Sequence, residues 1–281
     1  MVAGGLKHRV LEWGEASDDS PTLFFVHGFL DCGASFSWLV DSLPEHYHCV
    51  APDLRGHGGT EWVGKGGYYH FFDYVRDLRD LVDRLAGPRL VLVGHSMGGG
   101  VASLFAGSWP EASEKLVLLE GLGPAEESYD EGPDRIRRWL RELRNTEGRG
   151  PRTFTSLEQV AARLSRLWPS LRPEQTEELA GWMTTEGPEG GFRWSYDPLH
   201  RTRTPMVFRP ERWAPFLRAI SCPTLTISGG ESWVNWPDLD TRRANLVDRT
   251  HCYIEEGSHM LHLDNADVVG MAILGHIDIQ D

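Results

Sequence analysis

Short apolar runs that end at glycine, proline or charged residues recur along the chain, and segments with helical spacing separate several of them. Between the second and third runs, apolar residues recur every three or four positions over 71–85, which predicts a helix with one buried stripe. Alternating strands and helices are typical of an α/β fold, with a mostly parallel sheet that carries helices on both faces. The runs predict strands at 23–26, 47–51, 90–93, 115–119, 224–228 and 252–256.

The alternation stops between Gly121 and Ile220. These hundred residues hold no strong strand pattern, whereas Arg- and Glu-rich segments such as 135–144 and 157–168 predict helices. We therefore predict a helical cap, or lid, at 121–220, inserted after the strand at 115–119. Residues 1–120 and 221–281 would then form the core.

Composition narrows the possible partners. The 28 basic and 41 acidic residues give a net charge of −13, which opposes binding to nucleic acid and to anionic membranes. No apolar run reaches the roughly 18 residues of a membrane span, and the first residues do not resemble a signal peptide. The four cysteines form no C-x-x-C pair, so neither a disulfide framework nor a zinc site is predicted. We expect a cytoplasmic protein with a small-molecule substrate.

The most informative motif is Gly94-His95-Ser96-Met97-Gly98, a G-x-S-x-G sequence between a predicted strand and a predicted helix. A serine in such a turn adopts a strained backbone that lifts its hydroxyl above the sheet edge, and the flanking glycines make room for the turn. The N-terminal amides of the following helix stabilise negative charge at the same point. A nucleotide-binding loop would need G-x-G-x-x-G or a Lys-Ser or Lys-Thr pair, which this segment lacks. Ser96 is the predicted nucleophile.

With three further motifs in order, the sequence resembles the α/β-hydrolase fold family. His27-Gly28-Phe29 matches the family's H-G-x turn after its third strand, and residues 53–58 match the D-x-R-G-H-G turn after the fourth. Gly257-Ser258-His259 matches the G-x-H that carries the catalytic histidine. The resemblance implies the α/β-hydrolase fold, with the cap where this family inserts its lids, between the sixth and seventh strands. The chain is also similar to peroxisomal serine hydrolase-like proteins.

The serine needs a base to remove its proton, and the base needs a third group to orient it. His259 follows a predicted strand late in the chain and satisfies the order serine, acid, histidine. His262, three residues on, is the alternative base. The other histidines in the family's turns, His27, His57 and His95, are expected to brace loops through hydrogen bonds.

The acid departs from the commonest pattern of the family, which places an aspartate where this chain has Ser232. A hydroxyl cannot stabilise an imidazolium ion as a carboxylate does. Some branches of the family, including many haloalkane dehalogenases, carry the acid at the end of the sixth strand, where this chain has Glu120. We predict Glu120 as the acid, with Glu231 as the alternative.

The resemblance also implies an oxyanion hole formed by the backbone N–H groups of Phe29 and Met97. The expected reaction is hydrolysis of small carboxylic esters through an acyl-enzyme, without a metal or an organic cofactor. Hydrolysis of C–C bonds and perhydrolysis use the same residues and remain alternatives, as does a ligand-sensing receptor with little turnover. Candidates for the pocket walls are Leu30, Trp38, Trp139, Trp194 and Trp233.

Overall fold

The computed structural model describes residues 1–128, 132–147, 152–187 and 189–278. Its strands are β1 (Val2–Ala3), β2 (Leu6–Lys7), β3 (Val10–Trp13), β4 (Thr22–Val26), β5 (His48–Pro52), β6 (Leu90–His95), β7 (Lys115–Leu119), β8 (Thr153–Phe154), β9 (Thr184–Glu186), β10 (Phe192–Trp194), β11 (Thr224–Gly229) and β12 (Arg249–Ile254). Its helices are α1 (Ser37–Asp41), α2 (Phe71–Leu85), α3 (Met97–Ser108), α4 (Gly132–Glu147), α5 (Leu157–Leu167), α6 (Pro173–Trp182), α7 (Pro210–Ala219), α8 (Leu239–Arg243), α9 (Leu261–Asp264) and α10 (Ala266–Asp278).

Seven strands form the central sheet, in the order β12-β11-β7-β6-β4-β5-β3. Only β3, at one edge, pairs antiparallel to its neighbour, and the remaining pairs are parallel. Every residue of β4, β6 and β7 is buried, which explains why these strands appear in the sequence as unbroken apolar runs. The mostly parallel sheet predicted from the sequence is confirmed.

The strand predicted at 252–256 begins three residues earlier and ends two residues earlier, at Arg249–Ile254. Parallel pairing with β11 sets its start, because Thr224 aligns with Arg249 and Gly229 aligns with Ile254. The first three residues of β12 are exposed at the sheet edge and polar, so they carry no apolar signal. Hydrogen bonding to the neighbouring strand, not hydrophobicity, extends this strand toward its N-terminal end.

Helices cover both faces of the sheet, and alternate residues of β4 show how the two layers are separated. Phe24 and Val26 pack into one layer with α2, α3 and α7. Leu23 and Phe25 point to the opposite face, where α1 and α10 lie. In the part of the chain that the structure describes, no helix combines the length and apolar character needed to cross a membrane.

The segment predicted as a cap contains α4 to α7 and a small antiparallel sheet in the order β8-β10-β9. The expectation of an all-helical cap missed this sheet, because strands of two or three residues are too short to produce an apolar run. Helix α7 packs on the core: Trp213 donates a hydrogen bond to Ser103 Oγ in α3 at 3.1 Å. The division of the chain into core and cap at residue 220 stays a prediction.

Candidate active site

Ser96 forms the turn between β6 and α3, since β6 ends at His95 and α3 begins at Met97. Its backbone has φ 50° and ψ −114°, a conformation that costs a non-glycine residue on the order of 1–3 kcal/mol. The Ser96 N–H donates to the carbonyl oxygen of Leu119, at the end of β7, at 2.9 Å. The turn therefore raises the hydroxyl at the carboxyl ends of the strands.

The glycines around this turn allow backbone to contact backbone. A Cβ at Gly98 would overlap the carbonyl oxygen of Val26 in β4, and one at Gly94 would lie 2.6 Å from the Cα of Gly99. A Cβ at Gly99 would lie 2.5 Å from the Cα of Gly121. Helix α3 can therefore start close enough to the sheet to hold Ser96 in its strained conformation.

The residues predicted as nucleophile, base and acid lie in one hydrogen-bonded chain. His259 Nε2 is 3.0 Å from Ser96 Oγ, and His259 Nδ1 is 3.4 Å from Glu120 Oε2. A carboxylate can only accept, so geometry assigns the imidazole proton to Nδ1 and leaves the lone pair of Nε2 facing the serine hydroxyl. This tautomer can accept the proton of Ser96.

Glu120 immediately follows β7 and also has a positive φ, 54°. Its side chain is only 1% exposed, so the carboxylate depends on protein donors. The N–H of Gly229 donates to Oε1 at 2.7 Å, and the Ser232 hydroxyl donates to Oε2 at 2.6 Å. Ser232, which stands where the family commonly has its acid, binds the acid instead, a role that sequence reasoning missed. Its fixed spacing after Gly229 was the available signal.

The side chains of Glu231, the alternative acid, and His262, the alternative base, make other contacts. The Glu231 side chain is exposed, and its backbone N–H donates to the carbonyl oxygen of Gly257. His262 is fully buried, and its Nε2 lies 3.2 Å from Ser35 Oγ and 3.4 Å from Asp31 Oδ2. Within the described residues, neither side chain takes part in the hydrogen bonds of the serine–histidine–glutamate chain.

The loop that contains Phe29 lies beside the serine, since a Cβ at Gly28 would be 3.4 Å from the Cβ of Ser96. The His27 side chain connects this loop to the turn after β5. Its Nε2 accepts the N–H of Leu54 at 2.9 Å, so its Nδ1 carries the proton and donates to the carbonyl oxygen of Gly28 at 2.8 Å. Met97 is the first residue of α3, a position whose N–H has no intrahelical acceptor.

His57 holds the next residue of the loop. Its Nε2 accepts the N–H of Leu30 at 3.3 Å, and its Nδ1–H donates to the carbonyl oxygen of Arg55 at 3.0 Å. Burial, with the neighbouring imidazoles of His200 and His27, holds the pKa of His57 well below its ordinary value. The ring is therefore neutral and keeps one donor and one acceptor, as these two hydrogen bonds require.

Two aromatic residues in the loops next to Ser96 and His259 have exposed side chains. Trp233 is 65% exposed with its ring 4.5 Å from that of His259, and Phe29 is 51% exposed. The other tryptophans predicted as pocket walls pack within the cap segment or between it and the core. Trp38 contacts Trp182, Trp139 contacts Tyr68, and Trp194 contacts Phe154. Leu30 packs against a cluster of buried apolar residues that includes Phe154 and Trp194.

One group of potential metal ligands occurs among the described residues. Asp31, His95 and His262 are buried and each offers one ligand atom within 4.8 Å of the others. Two of these groups already contact one another, since His262 Nε2 lies 3.4 Å from Asp31 Oδ2. His95 Nε2 is also engaged by the carbonyl oxygen of His259 at 2.8 Å. Among the described residues, these side chains contact one another, Ser35 and the main chain of His259.

The sheet order and the turn at Ser96 define a protein of the α/β-hydrolase fold. The chain belongs to the alpha/beta hydrolase family, whose sequence profile matches residues 23–271. It is similar to a serine hydrolase-like protein of Danio rerio, with 27% identity over 287 residues that cover 99% of this chain and 86% of the relative. A human serine hydrolase-like protein is 36% identical over 108 residues, which cover 38% of this chain and 52% of the relative.

Solved structures show the same relationship. The thioesterase domain from the curacin biosynthetic pathway has 28% identity and a TM-score of 0.86, with 98% of this chain and 97% of that domain covered. A hypothetical protein from Pseudomonas aeruginosa PAO1 has 27% identity and a TM-score of 0.82, with 96% of both chains covered. The predicted fold and the resemblance to serine hydrolase-like proteins are confirmed.

The packing under the turn predicts that Gly98→Ala destabilises the protein. The new methyl group would overlap the carbonyl oxygen of Val26, a backbone atom inside the sheet, and overpacking of this kind costs about 1–3 kcal/mol. Urea unfolding of the variant and the wild type measures the difference.

Gly181→Ala is the matched control, because Gly181 lies in α6 with nothing within 4 Å of its Cβ position. That substitution should stabilise the helix by roughly 0.5–1 kcal/mol. Equal unfolding midpoints for Gly98→Ala and the wild type would contradict the packing argument.

Proposed function

We propose that this protein is a serine hydrolase that cleaves small carboxylic esters through an acyl-enzyme on Ser96. The observation that carries the proposal is the 3.0 Å contact between Ser96 Oγ and His259 Nε2, with Glu120 on the other nitrogen of the ring. Among relatives, the serine hydrolase-like names and the hydrolase fold support the same reaction class.

In the acylation step, Ser96 Oγ attacks the ester carbonyl carbon while its proton passes to His259 Nε2. The imidazolium ion that forms lies against the Glu120 carboxylate. The bond between the tetrahedral carbon and the oxygen of the leaving alcohol then breaks, and this oxygen takes the proton from His259. The products of this step are the free alcohol and an ester on Ser96.

Deacylation repeats the steps with water. His259 removes a proton from a water molecule, whose oxygen attacks the acyl carbon, and then returns the proton to Ser96 Oγ as the acid leaves. In both steps negative charge develops on the former carbonyl oxygen. The backbone N–H groups of Phe29 and Met97 are the proposed donors to it, and fixed donors of this kind are typically worth about 3–4 kcal/mol each in a transition state.

A thioester is the second candidate substrate class, because a thioesterase domain is among the similar solved structures, at 28% identity. The proposed mechanism accepts either class, since an oxyester and a thioester of one acid give the same acyl-enzyme. The two differ only in the group that leaves during acylation.

Labelling tests the nucleophile. A fluorophosphonate should phosphonylate Ser96 in the wild type with loss of fluoride, and Ser96→Ala should abolish both the label and the hydrolysis of short-chain 4-nitrophenyl esters. Ser221→Ala, an exposed serine whose hydroxyl donates to the carbonyl oxygen of Pro110, is the control and should keep both. A labelled wild type that hydrolyses no ester in a chain-length panel would favour a ligand-sensing receptor and reject the proposal.

The acid is tested by comparing Glu120→Gln with Glu231→Gln. Loss of the Glu120 charge removes the partner of the imidazolium ion, so kcat should fall by roughly three to four orders of magnitude. Glu231 is exposed, and its amide variant should keep near-normal kcat. Steady-state ester hydrolysis measures both, and near-full activity of Glu120→Gln would exclude Glu120 as the acid.

The shared acyl-enzyme is tested with two substrates that carry the same acyl group, a 4-nitrophenyl ester and an N-acetylcysteamine thioester. In the presence of hydroxylamine, the ratio of hydroxamate to free acid should be the same from both, because one intermediate partitions between water and hydroxylamine. Product analysis gives the two ratios. A ratio that changes with the leaving group would show that no common acyl-enzyme forms.

A further inference from the structure

His95, the residue before Ser96, is only 1% exposed. Its Nε2 is 2.8 Å from the main-chain oxygen of His259. A carbonyl oxygen only accepts, so geometry assigns the proton to Nε2 of His95. His95 thus binds the main chain of His259, and the side chain of His259 contacts Ser96.

The His95 ring is fixed in its protonation state and in its position. Burial, with the nearby imidazoles of His262 and His259, holds its pKa well below the ordinary value, so the ring is neutral and has one N–H. Its Nδ1 faces the loop before Phe29, because a Cβ at Gly28 would lie 2.8 Å from that atom. The ring therefore fills the space between the turn at Ser96 and this loop.

A second buried histidine, His262, packs against the His95 ring. The His262 ring lies 4.4 Å from the His95 ring, and its Nε2 faces Asp31 Oδ2 at 3.4 Å. The Ser35 hydroxyl donates to the same carboxylate oxygen at 2.9 Å. Burial opposes ionisation of Asp31, but hydrogen bonding and electrostatic attraction from His262 hold the pKa of the carboxyl below its ordinary value. The ionised Asp31 thus anchors His262 against His95.

We propose that His95 is a positioning residue, which fixes His259 relative to Ser96 through the hydrogen bond from His95 Nε2 to the His259 main-chain oxygen. The inference rests on the proposed function, in which His259 is the base. His259 follows β12 in a loop, and this bond ties that loop to the rigid turn between β6 and α3. Without it, the loop can carry the imidazole away from its 3.0 Å contact with Ser96 Oγ.

The test compares His95→Leu with His95→Gln. Leucine removes the donor, and a misplacement of the base by about 1 Å costs about 10²-fold in rate, so kcat and the rate of fluorophosphonate labelling should both fall by about that factor. KM should change less than about twofold, since His95 does not face the substrate. In His95→Gln the amide nitrogen takes the place of Nε2, so kcat and the labelling rate should be at least about tenfold higher than in His95→Leu.

His48→Leu is the matched control, because His48 is also buried and hydrogen-bonded, at the amino end of β5 away from the serine. It should keep the wild-type labelling rate even if its thermal midpoint falls as far as that of His95→Leu. Should His95→Leu not fold, His95→Asn replaces it, since its amide is one methylene too short to reach the His259 oxygen.

Three results with the His95 variants would overturn the inference. The first is a labelling rate of His95→Leu equal to that of the wild type. The second is a kcat of His95→Gln no higher than that of His95→Leu or His95→Asn. The third is a loss of activity that raises KM and leaves kcat unchanged. One equivalent of metal that purifies with the wild type and is lost in His262→Ala would also overturn it, by showing a cation site. An unlabelled wild type would instead reject the proposed function.

Discussion

The structure depends on one constraint: backbone must contact backbone where α3 begins at the carboxyl ends of the strands. Side chains at Gly94, Gly98 and Gly99 would all collide with main-chain atoms. Their absence lets the helix start within hydrogen-bonding reach of β7, where Leu119 accepts the N–H of Ser96. The strained conformation of Ser96 is thus enforced by its surroundings and not by its own preference.

Once the turn is fixed, the parallel sheet brings the other groups to it. Parallel strands all end at one edge, so Glu120 after β7 and His259 after β12 arrive beside Ser96 although long stretches of sequence separate them. Glu120 and Asp31 are two of the buried carboxylates at this edge. Glu120 receives donors from Gly229 and Ser232, and Asp31 receives one from Ser35. Both carboxylates therefore receive hydrogen bonds from protein groups, which offset part of the cost of burying an anion away from water.

Much of this arrangement could be predicted from the sequence, because its signals are local. Buried strands are apolar runs, and the G-x-S-x-G turn specifies its geometry through the residues it contains. Helix α2 begins and ends where the apolar spacing predicted, at Phe71 and Leu85. The positions predicted for Ser96, His259 and Glu120 also lie together, because strand order and family motifs restrict where the chain can place them.

The remaining features depend on contacts between distant residues. The start of β12 is set by pairing with β11, and the small sheet of β8, β9 and β10 consists of strands too short to leave a pattern. The link from His95 to His259 joins residues 164 positions apart and involves a main-chain oxygen, which no side-chain motif encodes. The same is true of the Ser232 hydroxyl, whose partner lies 112 residues away.

The position of Glu120 has a consequence for the loop after β11. That loop supplies only an amide and a hydroxyl to the carboxylate, from Gly229 and Ser232, and then turns outward to present Trp233 beside the imidazole. The negative charge therefore follows β7, whereas the exposed aromatic side chain beside the imidazole follows β11. Insertions or substitutions after Ser232 can remodel the exposed surface beside His259 during evolution while the anion stays in place, so substrate choice and proton transfer can diverge independently.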